Sequence, residues 1–322
     1  MIASHEVHFS STPLRVYTGR PSVPDSHLGI SLLDTRKHLH IFPVSKINQP
    51  LRERLILTLQ EIGRSQEAWD VTECGSSYRV LKASSCNQYA VLPFTCGHRL
   101  CQICAKRRSG RFYKRLKGMF DAMIEPKMLT LTVRNVPAIN KAYFKWIRDC
   151  FSQLRRRKFF TNQVTGGVYS IETTYNAERK DWHVHIHALI DSEANIPRDS
   201  IKEAWEKITV GSWGVDIRRA NHNAIYEVLK YETKVADFVQ YPQRVQEYLE
   251  AVKGSRLFHA FGNFFDNEEK EDEEVQEKAL KCDCGRCKWE FYSKLDKGGS
   301  FFEDDGTMWS WSTIRTLCEN TS

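Results

Sequence analysis

The sequence predicts an α+β fold in which helices pack on one face of a central antiparallel sheet. Apolar and polar residues alternate along 166–175 and 182–190, and the polar turn 176–181 joins these segments into a hairpin. Amphipathic segments typical of helices, at 143–157 and 198–207, lie on either side of this hairpin. Strands that pair in hairpins and are interspersed with helices favour a layered α+β domain. A cysteine-rich segment precedes this domain and predicts a zinc-binding module.

The remaining elements are assigned in chain order. Further helices are predicted over 51–62, 111–124 and 226–234, and further strands over 78–81, 89–94, 128–135 and 213–218. The dense acidic run after residue 265 predicts a self-repelling linker. The chain then divides into an N-terminal region of unassigned role (1–66), a cysteine-rich basic segment (67–125), the main α+β domain (126–265), the linker (266–280) and a C-terminal cysteine-containing segment (281–322).

Three histidines share one face of the strand 182–190. His183, His185 and His187 alternate with apolar residues, so their imidazoles point to the same side of the sheet. Imidazoles two residues apart on one strand face can hold a single divalent cation. The alternative is a half-buried strand whose histidines face solvent. The pattern therefore indicates either a metal site or an ordinary polar sheet face.

A second group of polar residues falls on one face of the helix 226–234. A phenol can attack a phosphate, lysines can steady that phosphate or lower the pKa of the phenol, and a carboxylate one turn away can act as a general base. The alternative is a solvated helix face with a Glu–Lys pair. The histidine strand upstream favours phosphoryl chemistry. At helical spacing the residues of this face are Glu227, Lys230, Tyr231 and Lys234.

The spacing of the ten cysteines favours metal binding over disulfides. A Cys-x-x-Cys pair follows the dipeptide Cys96-Gly97, and Cys74 can complete a tetrahedral zinc site, with Cys86 and His98 as rivals for that position. A second knuckle near the C-terminus either binds its own zinc with Cys318 or shares ligands with the first cluster. The cysteines concerned are Cys74, Cys96, Cys101 and Cys104 in the first cluster and Cys282, Cys284 and Cys287 in the second.

The formal net charge of +7 over 322 residues suggests an anionic partner. The stretch 96–117 contains Arg107, Arg108 and Arg111 and has no acidic residue. A second basic block, 155–158, adjoins Phe159 and Phe160. Such blocks neutralise phosphates, and aromatic rings beside them can stack on unpaired bases, although basic runs are often solvated helix faces.

Taken in order, these motifs resemble those of the HUH endonuclease superfamily, and in particular its single-tyrosine initiators of rolling-circle replication in small plasmids and some viruses. The segments 128–135, 182–187 and 227–234 resemble the three motifs of that family. The resemblance implies that His185 and His187 bind a catalytic Mg²⁺ or Mn²⁺ and that Tyr231 is the nucleophile, with Lys234 in the Tyr-x-x-Lys position.

Two further roles follow from the resemblance. Superfamily members usually add a third polar metal ligand from the strand before the histidines, and Glu172 is the carboxylate there that could meet them. Some relatives carry a glutamate four residues before the tyrosine that activates water in the terminating step, and Glu227 has this position. Tyr226 does not match the spacing of two-tyrosine relatives, so we predict that it packs rather than reacts.

The implied activity is a metal-dependent single-strand DNA endonuclease and nucleotidyltransferase that nicks origin DNA, forms a 5′-phosphotyrosyl link and rejoins ends. The expected partners are single-stranded DNA, contacted by Arg107, Arg108, Arg111 and Lys230, and a host or plasmid helicase and polymerase. The alternatives are a transposase or relaxase of the same superfamily and a non-catalytic zinc-containing protein that binds nucleic acid. The sequence has no signal peptide and no apolar run of transmembrane length, which predicts a cytoplasmic protein without a membrane partner.

Overall fold

A computed structural model describes residues 39–41, 47–192, 196–220, 224–229, 237–265 and 284–320. Its helices are α1 (Gln49–Glu61), α2 (Ser65–Glu73), α3 (Gln102–Asp121), α4 (Lys141–Arg155), α5 (Lys158–Thr161), α6 (Arg198–Thr209), α7 (Ala224–Leu229), α8 (Pro242–Ala251) and α9 (Trp311–Asn320). Its strands are β1 (Leu39–Ile41), β2 (Tyr78–Ala83), β3 (Tyr89–Pro93), β4 (Pro126–Thr132), β5 (Gly166–Asn176), β6 (Asp181–Asp191), β7 (Gly214–Arg219), β8 (Phe258–Gly262), β9 (Trp289–Leu295), β10 (Ser300–Phe302) and β11 (Met308–Ser310).

The larger sheet has five strands in the order β7-β4-β6-β5-β8, and every neighbouring pair is antiparallel. The hairpin β5–β6 forms its centre. The Asn176 side chain closes the turn by accepting a hydrogen bond from the Arg179 backbone N–H at 2.8 Å. The turn fixes a register in which Glu172 lies opposite His185 and Ser170 lies opposite His187. Because side chains alternate between faces, this register brings the carboxylate and the imidazoles to one side of the sheet.

The other face of this sheet is apolar and carries the core. Trp182, Val184 and Ile186 on β6 are each at most 1% exposed. Helix α4 packs on this face through Phe151, whose ring centroid lies 4.7 Å from that of Tyr169. Helix α8 packs there through Tyr248, which stacks on Trp182. The fold class predicted from the sequence is confirmed, and α3 in addition contacts the histidine face by placing Phe112 4.4 Å from Phe258.

A second sheet has four strands in the order β1-β3-β2-β9 and stands beside the cysteine cluster. Its edge strand β9 comes from the C-terminal segment and pairs antiparallel with β2. Helix α9 contacts the same module, because the Trp311 indole N–H donates to the Ser76 carbonyl at 2.6 Å and the Arg315 guanidinium donates to the Gly75 carbonyl at 2.8 Å. The C-terminal segment thus completes a sheet that begins in the cysteine-rich part of the chain.

The observed helices and strands differ from the predicted ones mainly around the cysteines. Helix α3 begins at Gln102 rather than at residue 111, because Cys101 occupies its N-cap position and the Cys-x-x-Cys pair forms its first turn. Helices α2, α5, α8 and α9 and strands β1 and β8 to β11 were not assigned from the sequence. The predicted linker 266–280 and residues 230–234 of the predicted tyrosine helix lie outside the described residues. Among the helices that the structure describes, none is long and apolar enough to cross a bilayer.

Candidate functional site

Glu172, His185 and His187 converge on the polar face of the larger sheet. The Nε2 atoms of His185 and His187 lie 3.4 Å and 3.2 Å from the same oxygen, Oε2 of Glu172. Glu172 is only 2% exposed and His185 8% exposed. A positive charge beside a carboxylate this deeply buried offsets the cost of removing it from water. The group therefore offers three ligand atoms of the kind that bind a divalent cation.

The donor set fits such a cation in spacing as well as in chemistry. Ligands about 2.1 Å from an octahedral ion lie about 3.0 Å apart, close to the 3.2 Å and 3.4 Å separations between imidazole and carboxylate atoms. The buried Nδ1 of His185 and hydroxyl of Ser170 have no hydrogen-bond partner among the described residues. One carboxylate and two imidazoles suit Mg²⁺ less well than Mn²⁺, because Mg²⁺ prefers oxygen ligands.

Thr130 on β4 contacts one of these imidazoles. Its hydroxyl lies 3.1 Å from Nδ1 of His187, and the two residues are directly opposite each other across the β4–β6 pair. An Nδ1–H that donates to this hydroxyl leaves the Nε2 lone pair directed toward Glu172. The sequence placed Thr130 in the first motif but gave it no role. The signal that could have identified it is its position in the alternation of β4, which places its side chain on the same face as the histidines of the neighbouring strand.

His183 stands apart from the three candidate ligands, although it shares their strand face. It is partly exposed, and its ring centroid lies 5.1 Å from that of His185. Burial, followed by repulsion from His185, lowers the pKa of His183 below its usual value. Its side chain is therefore more accessible than that of Glu172 or His185.

Helix α7 places the beginning of the predicted tyrosine motif, residues 227–229, beside the strands of the triad. It contacts both β5 and β6, and Ala224, Ile225 and Val228 are buried. Glu227 belongs to this helix, but its side chain and that of Tyr226 lie outside what the structure describes. Tyr231, Lys230 and Lys234 also lie outside the described residues. Their predicted roles therefore remain predictions.

The four cysteines of the first predicted zinc site form one cluster. The Sγ atoms of Cys74 and Cys104 are 3.7 Å apart, and those of Cys96 and Cys104 are 3.6 Å apart. Sulfurs on a tetrahedral zinc ion, with bonds of about 2.3 Å, lie about 3.8 Å apart. Backbone amides also point at the sulfurs, since the N–H of Cys96 donates to Sγ of Cys74 and that of His98 donates to Sγ of Cys96. Together with Cys101, this group can hold a tetrahedral metal ion.

The thiols of this cluster shift one another's pKa values in opposite directions. Hydrogen bonds from Cys104, Cys74 and Cys96 lower the pKa of the Cys101 thiol, whereas the pKa of Cys96 is raised, chiefly by its hydrogen bond with Cys101. Such a cluster concentrates negative charge on one sulfur, and a dication is needed to hold all four as thiolates. His98, a predicted rival ligand, instead lies with Nε2 3.0 Å from Glu67.

The other rival ligand, Cys86, belongs to a different cluster. Its Sγ lies 3.4 Å from that of Cys287, which lies 3.2 Å from that of Cys284. The two cysteine groups share no member among the described residues, which separates the second knuckle from the first site. Cys282 and the side chain of Cys318 lie outside the described residues. The sequence considered Cys86 only for the first cluster, because nothing in local spacing links it to the C-terminus.

The predicted DNA-binding arginines occupy different environments on α3. Arg108 donates to the carbonyls of Gly97 and Arg99, so its guanidinium supports the backbone of the cysteine knuckle. Arg107 is partly buried, and this burial lowers its pKa. Arg111 is exposed. Of these three, Arg111 is therefore the most accessible to a phosphate.

The second basic block is partly used in packing. The Arg155 guanidinium lies 4.5 Å from the centroid of Phe261 and 5.2 Å from that of Phe151, and burial lowers its pKa. Phe160 is 1% exposed and lies in the core. The prediction that Phe160 stacks on bases is wrong, because its ring is buried in the hydrophobic core. The extended residue Arg157 separates α5 from α4, and Phe160 is the buried residue of this short helix.

Residues 90–198 match a family model described as replication protein. This range contains Glu172, both histidines of the triad, Thr130 and three of the four clustered cysteines. The predicted resemblance to a replication initiator is confirmed. No solved structure matches the chain.

Several relatives carry the name "Protein rep". The chain is 31% identical over 127 residues to "Protein rep" of Streptococcus pneumoniae, covering 37% of this chain and 40% of that protein. It is 27% identical over 164 residues to "Protein rep" of Staphylococcus aureus, covering 45% of this chain and 72% of the relative. It is also 27% identical over 226 residues to "Protein rep" of Lactiplantibacillus plantarum, covering 59% and 70%. The chain thus spans less than half of the first of these relatives and about 70% of the other two.

Proposed function

We propose that this chain is a single-tyrosine HUH endonuclease that initiates rolling-circle replication by nicking single-stranded origin DNA. The observation that carries the proposal is the convergence of Glu172, His185 and His187 on the sheet face, within a range that matches replication proteins. Helix α7, which leads to Tyr231, contacts the two strands that bear these three residues. The nucleophile and the candidate metal ligands would then meet in one site.

In the proposed reaction the Tyr231 phenol oxygen attacks the scissile phosphorus. The bond from phosphorus to the 3′ oxygen breaks, the phenol gives up its proton, and the leaving oxygen takes up a proton to become a 3′-hydroxyl. The products are a 5′-phosphotyrosyl link and a primer end for a polymerase. A divalent cation on Glu172, His185 and His187 would supply Lewis-acid polarisation of the phosphate. Lys234 would steady the same phosphate or lower the pKa of the phenol.

Termination requires a second cut after one round of synthesis. We assign this step to Glu227, whose carboxylate would take a proton from water as the water attacks the regenerated origin. The 3′-hydroxyl released there then displaces Tyr231 from its phosphate and closes the circle. The phosphodiester energy is conserved in the tyrosyl ester, so joining needs no nucleotide cofactor.

The cysteine module has a structural role in this proposal. Zinc bound by Cys74, Cys96, Cys101 and Cys104 would fix the start of α3, since Cys104 lies in its first turn. Helix α3 in turn contacts the histidine face through Phe112. Arg111 and Lys230 would contact DNA phosphates. A helicase and a polymerase in the cytoplasm of the host would unwind and copy the DNA.

The covalent adduct tests the proposal directly. The protein is incubated with single-stranded DNA and Mn²⁺ or Mg²⁺, and denaturing gels show whether DNA stays attached to it. Tyr231→Phe should abolish the adduct and leave DNA binding nearly unchanged, because only the hydroxyl is lost. Tyr226→Phe is the matched control and should react like the parent protein. An adduct that persists in Tyr231→Phe and disappears in Tyr226→Phe would transfer the role to Tyr226.

The metal is tested in the same assay. His185→Ala and His187→Ala should each lose nicking, as should the parent protein after chelation, because each change removes a ligand or the ion. His183→Ala is the control on the same strand face and should retain nicking. Full-rate nicking in either ligand variant would show that the imidazoles are not ligands. DNA binding without any nicking in the parent protein would favour a non-catalytic nucleic-acid-binding protein.

A further inference from the structure

We propose that Cys86, Cys284 and Cys287 bind a second zinc ion, which fastens the C-terminal segment to the tip of the β2–β3 hairpin. Their ligand atoms all lie within 4.8 Å of one another. Cys86 and Cys287 are 201 positions apart in the chain, yet their sulfurs are 3.4 Å apart. Three thiols from two distant segments therefore meet at one point.

The cluster shares the local architecture of the first one. Cys284-Gly285 and Cys96-Gly97 are both Cys-Gly dipeptides, and both glycines have left-handed backbones, with φ of 69° and 68°. A side chain is rarely tolerated in this conformation, so each glycine allows the chain to turn sharply behind its cysteine. The sulfur separations of 3.2 Å and 3.4 Å are near the value of about 3.8 Å for a tetrahedral zinc ion. Soft thiolates at this spacing select zinc over Mg²⁺ or Mn²⁺.

A bound ion also explains how β9 is held in place. β9 is an edge strand in which Leu295 is the one fully buried residue. Trp289 is partly buried against Leu81 and Leu92, but most of the other side chains of β9 are exposed, so apolar burial against β2 is limited. At the end of the strand nearest the cysteines, Ser84 and Lys288 exchange two hydrogen bonds, from the Ser84 N–H to the Lys288 carbonyl and from the Lys288 N–H to the Ser84 hydroxyl. Zinc beside this pair would contribute the stabilisation that burial does not.

The proposal rests on the three described thiols. The sequence also predicts Cys282 for this knuckle, and that residue lies outside the described part of the chain. The site is more accessible than the first cluster, because Cys284 is exposed whereas Cys74, Cys101 and Cys104 are buried. A chelator should therefore remove this zinc before the other one.

Zinc counting by native mass spectrometry of the full-length protein tests the site. Cys86→Ser and Cys287→Ser should each contain one zinc ion fewer than the parent. Cys150→Ser is the control, because Cys150 is buried in α4, away from both clusters, and should keep the parental number. Zinc on the Glu172 triad would contribute equally to all these proteins, so the difference reports the cysteine site alone. Hydrogen exchange should become faster in β9 and remain unchanged in β6.

A ligand-restoring variant covers the case in which a serine variant folds poorly. Cys86→His supplies an imidazole in place of the thiolate and should recover the lost zinc ion and the slow exchange of β9. Unchanged zinc content in both serine variants would overturn the proposal. So would an equal loss of zinc in Cys150→Ser. The measurement does not involve DNA, and its outcome is therefore independent of whether Tyr231 is the nucleophile.

Discussion

Thr130→Val tests whether the hydroxyl opposite His187 positions a metal ligand. The substitution keeps the size of the side chain and removes the atom that lies 3.1 Å from Nδ1 of His187. Loss of a group that orients a metal-bound histidine typically costs about 10–100-fold in metal affinity, or about 1.4–2.7 kcal/mol in binding free energy. We therefore expect the Mn²⁺ concentration for half-maximal nicking to rise by this factor. The rate at saturating Mn²⁺ should stay close to that of the parent.

The assay is a titration of nicking rate against Mn²⁺ with a fixed single-stranded substrate. Thr174→Val is the matched control, because Thr174 lies on the same sheet face but its hydroxyl donates to the His183 carbonyl rather than to a ring nitrogen. Its metal dependence should match that of the parent. An unchanged half-saturation point in Thr130→Val would refute the positioning role. A rate that falls equally at every Mn²⁺ concentration would show that Thr130 acts on the chemical step or on the fold instead.

Three further predictions concern the zinc module, termination and acid stability. Cys101→Ser should lower the zinc content by one ion and the midpoint of thermal unfolding well below that of Cys150→Ser; zinc-finger peptides gain about 10–16 kcal/mol from their metal, and a domain with a large core should lose less. Glu227→Ala should still form the Tyr231 adduct but lose about 10²–10⁴-fold in the second cut, leaving products longer than unit length, whereas parental termination would indicate an ordinary Glu–Lys pair. Burial lowers the pKa of His259 to about 4, below its unfolded value of about 6.5, so its contribution to stability is present above pH 6.5 and is lost as the pH falls toward 4. His259→Gln should reduce the loss of unfolding free energy between pH 6.5 and pH 4 by up to about 3 kcal/mol, measured by urea unfolding. A loss as large as that of the parent would contradict the proposed effect of burying His259.

The larger sheet and the position of the triad could be inferred because residues close together in the sequence determine them. Strict alternation along 182–190 determines which residues share a face. A short turn then brings Glu172 opposite His185, since a hairpin leaves few alternative registers. The same reasoning did not reach Thr130, because its partner depends on how β4 aligns with β6. That alignment is set by packing between distant segments.

The second cysteine cluster shows the limit of spacing arguments. A Cys-x-x-Cys pair predicts two ligands from one segment, but the identity of the remaining ligand depends on tertiary contacts. Cys86 meets Cys287 only because β9 pairs with β2. Charge patterns were similarly incomplete, because composition does not distinguish the exposed Arg111 from Arg108, which binds backbone carbonyls. A run of arginines predicts charge but not the direction in which each side chain points.

The pairing of β9 with β2 also bears on the biogenesis of the protein. The ribosome synthesises β2 long before β9. One edge of β2 therefore stays unpaired until the C-terminal part of the chain has been made. An exposed strand edge invites pairing with another molecule. A product that stops before residue 289 would keep the whole five-stranded sheet and yet carry a permanently open edge. Premature termination near the C-terminus would in that case yield self-associating chains rather than merely shortened ones.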